Sequence, residues 1–227
     1  MLTVYVQAPF AVFRNFSAGS FRSGADFITP SAALGLLLNL AGIEMRREDP
    51  RAVMTLIQPD LPRFRLALGA LAFPEQHTLL QQLHNYPVGN ARKEHAPLTR
   101  GNKYNIVPVR RSLLSHLRAY LCVDQAPELE ARIAEGLAHG QPGNYGLPFL
   151  GDNNFLPDKL DAVSERQPAY WYLPFQADTP AGIRPGITRL TLAIDREDMS
   201  RTRSSLFAPQ TEATREIPAE AWLEMGG

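Results

Sequence analysis

The chain has 227 residues, 44% of them hydrophobic and 20% charged, with 23 Lys plus Arg exactly offset by 23 Asp plus Glu. That length and balance exclude a disordered segment and allow a substantial core, in one large domain or two small ones. The single cysteine, Cys122, excludes an internal disulfide and points to a reducing, cytoplasmic setting.

The first segment, LTVYVQA, alternates. Leu2, Val4, Val6 and Ala8 share one face, which predicts a half-buried strand. No basic lead precedes an apolar run, so no signal peptide is expected. A loop over residues 9–28 follows, and then a helix. Thr29 is placed to cap it and Pro30 to open it, where a missing N–H is harmless. Leu34, Leu37, Leu38, Ala41 and Met45 fall on one helical face. Gly35 and Gly42 are expected to permit close approach to a sheet, and Arg46 and Arg47 to sit at the negative helix end. The apolar run 32–43 is too short to span a membrane and contains Asn39.

RFRLALGALAF predicts a second strand, with Phe64, Leu66 and Leu68 on one face. Residues 74–112 are polar and irregular and read as an excursion from the sheet. LRAYLCV predicts a third strand, in which Cys122 is a buried structural thiol. PELEARIAEGLAHG predicts a second helix with a Leu129, Ile133, Leu137 stripe and Gly140 as its terminal glycine. A glycine-rich stretch, GNYGLPFLG, leads to a fourth strand, and ITRLTLAID predicts another. The order is βαββαβ with extra C-terminal strands. It defines an α+β class with a ferredoxin-like core. The expected division is a core over 1–160, which includes the excursion 74–112, and a C-terminal β extension over 161–227.

Charge is unevenly placed. Residues 92–118 hold seven Lys or Arg and one acid, whereas residues 124–165 hold eight acids and two bases. A strip this basic suits a polyanion, and equally a solvated hairpin balanced by the acidic segment. The first loop interleaves Phe10, Phe13, Phe16, Phe21 and Phe27 with Arg14 and Arg22. Rings stack unpaired bases and guanidinium forks grip phosphate, although phenylalanines also simply pack loops. His84, Tyr86, Lys93, His95, Lys103 and Tyr104 gather around the excursion and are able to serve acid–base chemistry on RNA or merely to bind it. GNYGLPFLG matches no phosphate-loop pattern, and GDNNFLPDKLDA lacks the Gly and terminal Glu of an EF-hand. The five histidines show no ligand spacing, so no metal site and no cofactor are expected.

Three segments together resemble one family. They are APFAVFRNFSAGSFRSGADFITPSAALGLLLNLAGIE, then HNYPVGN with RGNKYNIVPVRRSLL, then YGLPFLGDNNFL. The likeness covers residues 1–160 and is more diffuse beyond. The family is the CRISPR-associated Cas family numbered five, of the RAMP superfamily. The resemblance implies an RRM-like core with a β-hairpin thumb, which holds the 5′ repeat-derived handle of crRNA. It implies membership of a type I Cascade complex, with Cas-seven backbone subunits and a Cas-eight type large subunit as protein partners. Target DNA would be met through the complex, with no membrane involved.

On this reading the RNA-binding residues are Arg14, Asn15, Arg22, Asn85, Tyr86, Arg92, Lys93, Arg100, Lys103, Tyr104, Arg110 and Arg111. The type I-C branch of the family cleaves precursor RNA with an adjacent Lys-His pair. Here Glu94 separates Lys93 from His95, and the hairpin looks more like non-cleaving, type I-B-like members. A non-catalytic subunit is therefore expected. The alternatives are a metal-independent endoribonuclease using His84, Tyr86, Lys93 or His95, and a scaffold whose basic strip meets an acidic protein.

Overall fold

The structure is a computed structural model that describes residues 1–15, 21–50, 52, 55–84, 106–140, 146–175 and 186–226. Strand β1 (Leu2–Ala11) buries Val4, Val6, Ala8 and Ala11, while Tyr5 and Gln7 on the other face stay half-exposed. The two-residue period thus gives β1 one face for the helices to cover. The longest strand, β7 (Ile106–Asp124), pairs antiparallel with β1 from Leu2↔Val123 to Ala11↔Leu114. On the other side of β7 lies β5 (Phe64–Ala72), and β8 (Lys159–Ala162) flanks β1. The central order is therefore β8-β1-β7-β5, antiparallel throughout.

Beyond β5 the same sheet continues through β9 (Tyr170–Pro174), β11 (Arg203–Pro209) and β10 (Thr188–Ala193). A short β12 (Leu223–Met225) pairs with the first half of β5. Residue 160 lies within β8, and strands on both sides of it belong to one sheet. A small ribbon, β3 (Arg46–Arg47) with β4 (Leu56–Ile57), stands apart.

Helix α1 (Pro30–Leu40) begins as its sequence dictates. The Thr29 hydroxyl accepts the Ala32 N–H at 3.2 Å, and Pro30 opens the first turn. Its end departs from expectation. Gly42 takes φ +63, its N–H reaches the Asn39 carbonyl at 3.0 Å, and the Ile43 N–H reaches Leu38 at 2.9 Å. These two bonds close the helix at Leu40. Arg46 and Arg47 therefore lie in β3, not at a helix end, and Met45 is not on the helix. The buried face is Ala33, Leu36, Leu37, Leu38 and Leu40, and Leu34 is only half-buried.

Gly35 does not mediate the close approach. A Cβ there would meet only the Met45 Cε, at an ordinary 3.8 Å. The close contact is instead at Gly136 in α2 (Pro127–His139), where a Cβ would fall 1.9 Å from the Leu40 carbonyl oxygen. The predicted α2 stripe holds, with Leu129 and Ile133 buried and Leu137 packed against the core.

Residues 75–84 and 106–115 are not irregular. Strand β6 (Glu75–His84) forms a continuous ladder with β7, from Glu75↔Ser115 to His84↔Ile106. Residues 75–80 are exposed without interruption, so no apolar period marks the strand. His116 adopts φ +57 between the last β5 pair, Ala72↔Arg118, and the first β6 pair. The left-handed residue sits where β7 leaves β5 and takes up β6.

The sheet face opposite the helices carries a second cluster of Ala67, Tyr120, Cys122, Ala169, Trp171 and Ala221. Gly69 leaves room for the Trp171 ring, whose Nε1–H donates to the Thr214 carbonyl at 3.0 Å. Cys122 is fully buried here, and burial pushes its thiol up to about 11. Native protein at pH 7.5 is therefore expected to be inert to Ellman's reagent and to release one thiol equivalent only in denaturant. Rapid reaction of the native form would place Cys122 at the surface. Among the described residues no helix is long and apolar enough to cross a membrane.

Candidate nucleic-acid interface

The first loop is laid along β7. The Ala25 N–H donates to the Phe13 carbonyl at 2.7 Å, and the Asn15 N–H to Ser23 at 3.2 Å. The short β2 (Phe21–Arg22) then runs parallel to β7, with Phe21↔Arg110 and Arg22↔Arg111 in register. Phe13 and Phe27 anchor this flap in the core, and Phe27 stacks on Tyr172 at 4.4 Å and 7°. Phe10 and Phe21 remain exposed. Of the interleaved aromatics, then, some pack the loop and others face solvent. Phe16 lies outside the described residues.

The pairing of β2 with β7 brings arginines from the loop and the hairpin together. Arg110 is exposed. Arg111 shares the inward face of Val109, as the strand period requires, and is only 2% exposed. Arg111 therefore does not lie with Arg110 on the surface expected from the sequence. Its Nη1 donates to Asp152 Oδ2 at 2.9 Å, and Arg14 Nη2 donates to the same oxygen. The Asp152 side chain is 1% exposed, and Arg14, at 52%, reaches from it into solvent. Asp152 Oδ1 in turn accepts the Asn154 N–H at 3.1 Å and Asn154 Nδ2 at 2.7 Å. One buried carboxylate thus orients two guanidiniums from segments far apart in sequence.

The turn that delivers Asp152 is pressed against the end of β1. The Val12 N–H donates to the Leu150 carbonyl at 3.3 Å. Gly151 adopts φ +76, and a Cβ there would lie 2.1 Å from the Val12 carbonyl oxygen. Only glycine fits such a backbone at such a distance.

Burial alone would raise the Asp152 carboxyl. The Arg14 hydrogen bond, the Asn154 N–H and the charges of Arg111 and Arg14 outweigh it and hold the group below the usual carboxylate range. Burial lowers the Arg111 guanidinium, Asp152 offsets part of that, and Arg14 and Arg22 repel it further. It still carries its charge at neutral pH. Arg111 Nε has no hydrogen-bond partner among the described residues. The cluster is thus short of negative charge, with Arg14 and Arg111 on one carboxylate and Arg22 near enough to repel Arg111.

Of the expected RNA-binding residues, Arg14, Asn15, Arg22, Arg110 and Arg111 come together at the base of the β6–β7 hairpin. Asn85, Tyr86, Arg92, Lys93, Arg100, Lys103 and Tyr104 lie outside the described residues, as does His95. Asp152 was missed from sequence. Its signal was the Gly-Asp-x-Asn spacing, which makes an Asx turn rather than a cation loop. Among the described residues no group of three His, Cys, Asp or Glu side chains is gathered for a metal ion.

Fold and site together define a class: an α+β protein with one large, mostly antiparallel sheet, helices α1 and α2 on one face, and a guanidinium cluster beside a long hairpin. Residues 1–177 match the family model described as CRISPR-associated protein (Cas_Cas5). The chain belongs to this Cas5 family. Among solved structures it is similar to a chain described as "CRISPR RNA-guided surveillance complex", at 16% identity and TM-score 0.56, over 93% of this chain and 90% of that one. It is also similar to one described as "Crystal structure of Cas protein", at 12% identity and TM-score 0.50, over 94% and 95% of the two chains. No curated protein matches the sequence.

Proposed function

We propose that this protein is a non-catalytic subunit of a type I, I-B-like Cascade complex that binds the 5′ handle of crRNA and caps the Cas-seven filament beside the large subunit. The observation that carries the reading is the Arg14–Asp152–Arg111 cluster with Arg22. Its positive charge exceeds its negative charge, and it lies where the flap meets the hairpin. Family membership and likeness to a chain from an RNA-guided complex support it. The central order β8-β1-β7-β5 with α1 and α2 as crossovers supports a ferredoxin-like core, with β6–β7 as the thumb. Direct phosphate contact falls to the more accessible Arg14, Arg22 and Arg110. Asp152, itself bonded by Arg111, holds Arg14 in position.

Binding to about five phosphates would make log affinity fall against log salt with a slope of roughly −3 to −4 for single-stranded RNA. Arg110→Ala should flatten that slope by about 0.7, the share of one phosphate. An unchanged slope would remove Arg110 from the interface. The same titrations in EDTA test catalysis. The repeat RNA is expected to be bound and left intact. Specific cleavage, abolished by His84→Ala or His95→Ala, would establish the endoribonuclease instead. Neither binding nor cleavage would favour a scaffold.

A further inference from the structure

We infer that a cleft between α1, the β3–β4 ribbon and the ends of β10 and β12 is a docking groove for an acidic, amphipathic segment of a partner protein. The cleft measures about 280 Å³, and Leu34, Met45, Ile57 and Leu192 line it. Its place explains why Leu34, expected in the core stripe, is only half-buried. Ile194 on the wall is 44% exposed. The volume suits one or two side chains better than an enclosed ligand, for which pockets usually run to roughly 300–1,000 Å³.

Charge identifies the occupant. Among the described residues that line the cleft, Arg46, Arg196 and Arg203 stand with one acid, Glu224, and Glu44, outside the lining, accepts the Arg46 backbone N–H at 2.8 Å. Among the described residues no carboxylate forms an ion pair with any of the three arginines. Arg196 Nε donates to the Thr55 carbonyl at 2.5 Å, so its fork is held at the rim. Burial, and then the charge of Arg46, lower its affinity for the proton. A protein with equal totals of each charge thus carries a local cationic surplus beside an open apolar surface.

Three observations favour a protein segment with carboxylates over the other occupants. RNA would satisfy the charge, but among the described residues no aromatic ring lines the cleft to stack a base. A second copy in two-fold contact would bring the same arginines face to face. Met45 and Met225, two of the chain's five methionines, supply the adaptable apolar contact typical of peptide grooves. An amphipathic helix with a Leu stripe between glutamates fits all three. The described residues lining the cleft include none of the Arg14–Asp152–Arg111 cluster, and the inference goes beyond RNA binding.

The test uses the full chain and three fluorescein-labelled helical peptides, read by anisotropy at low salt. One places Leu at i, i+4, i+7 among Glu; the second replaces Glu by Lys; the third replaces Leu by Ser. The Glu–Leu peptide is expected to bind at least tenfold more tightly than either control. Arg46→Glu with Arg203→Glu should reverse the preference in favour of the Lys–Leu peptide. At 150 mM salt, where surface charges are strongly screened, that variant should bind repeat RNA within twofold of the parent, because neither residue belongs to the Arg14–Asp152–Arg111 cluster. This arm separates failure of the groove from failure of the RNA reading. No binding of the Glu–Leu peptide, equal binding of the Lys or Ser control, or a preference unchanged in the variant would each overturn the inference. So would a dimer in solution that the variant abolishes.

Discussion

Asp152→Asn is expected to weaken RNA binding roughly tenfold, the scale of one hydrogen bond to a charged group, although it makes the protein more positive. If only the field mattered, removing an acid beside a polyanion would tighten binding. The geometry argues the opposite. Asp152 Oδ2 holds both Arg111 and Arg14, and Arg14 is the member that reaches solvent. An amide cannot hold two guanidiniums as a carboxylate does, so Arg14 loses its orientation. Arg111 also loses its ionic partner while buried. Removing one member of a buried pair costs about 3–5 kcal/mol, which for a chain of this size lowers the melting temperature by roughly 6–20 °C. Thermal melts and RNA titrations well below the melting point read the two effects separately. Tighter binding by the variant would show that Asp152 merely dilutes the positive field.

Two glycine-to-alanine changes in helix interiors should move stability in opposite directions. Both gain about 0.8–1.0 kcal/mol of helix propensity. At Gly35 the new methyl meets only the tip of Met45 at 3.8 Å, so Gly35→Ala should stabilise by that amount. At Gly136 the methyl would fall 1.9 Å from the Leu40 carbonyl oxygen, which is backbone and cannot rotate away. The two helices must separate, and Gly136→Ala should destabilise by about 1–3 kcal/mol net. Denaturant melts of the two variants decide the matter. A Gly136→Ala protein as stable as the parent would mean that α1 and α2 are not packed this closely.

These contrasts mark the border between what local sequence carries and what tertiary contact decides. The Thr29-Pro30 helix start, the β1 alternation and the Leu129–Ile133 stripe were legible because capping and periodicity act over a few residues. The family likeness in the loop, hairpin and glycine-rich segments was legible for a different reason: those residues are distinctive as strings. Strand β6 escaped because residues 75–80, exposed on both faces, have no apolar rhythm to read. The role of Gly136 escaped because its reason lies on another helix, at Leu40.

The candidate site shows the same division. Sequence alone determined that Arg14, Arg22, Arg110 and Arg111 are cationic and surround the first loop and the hairpin. It also placed Asp152 in an acidic segment, with nothing local to join the two. Only the fold brings residues 138 and 41 positions apart onto one carboxylate. Only the pleat of β7 turns Arg111 inward while Arg110 faces solvent. Burial then gives that carboxylate its influence, because a charge removed from water must be satisfied by partners that the chain's order does not reveal.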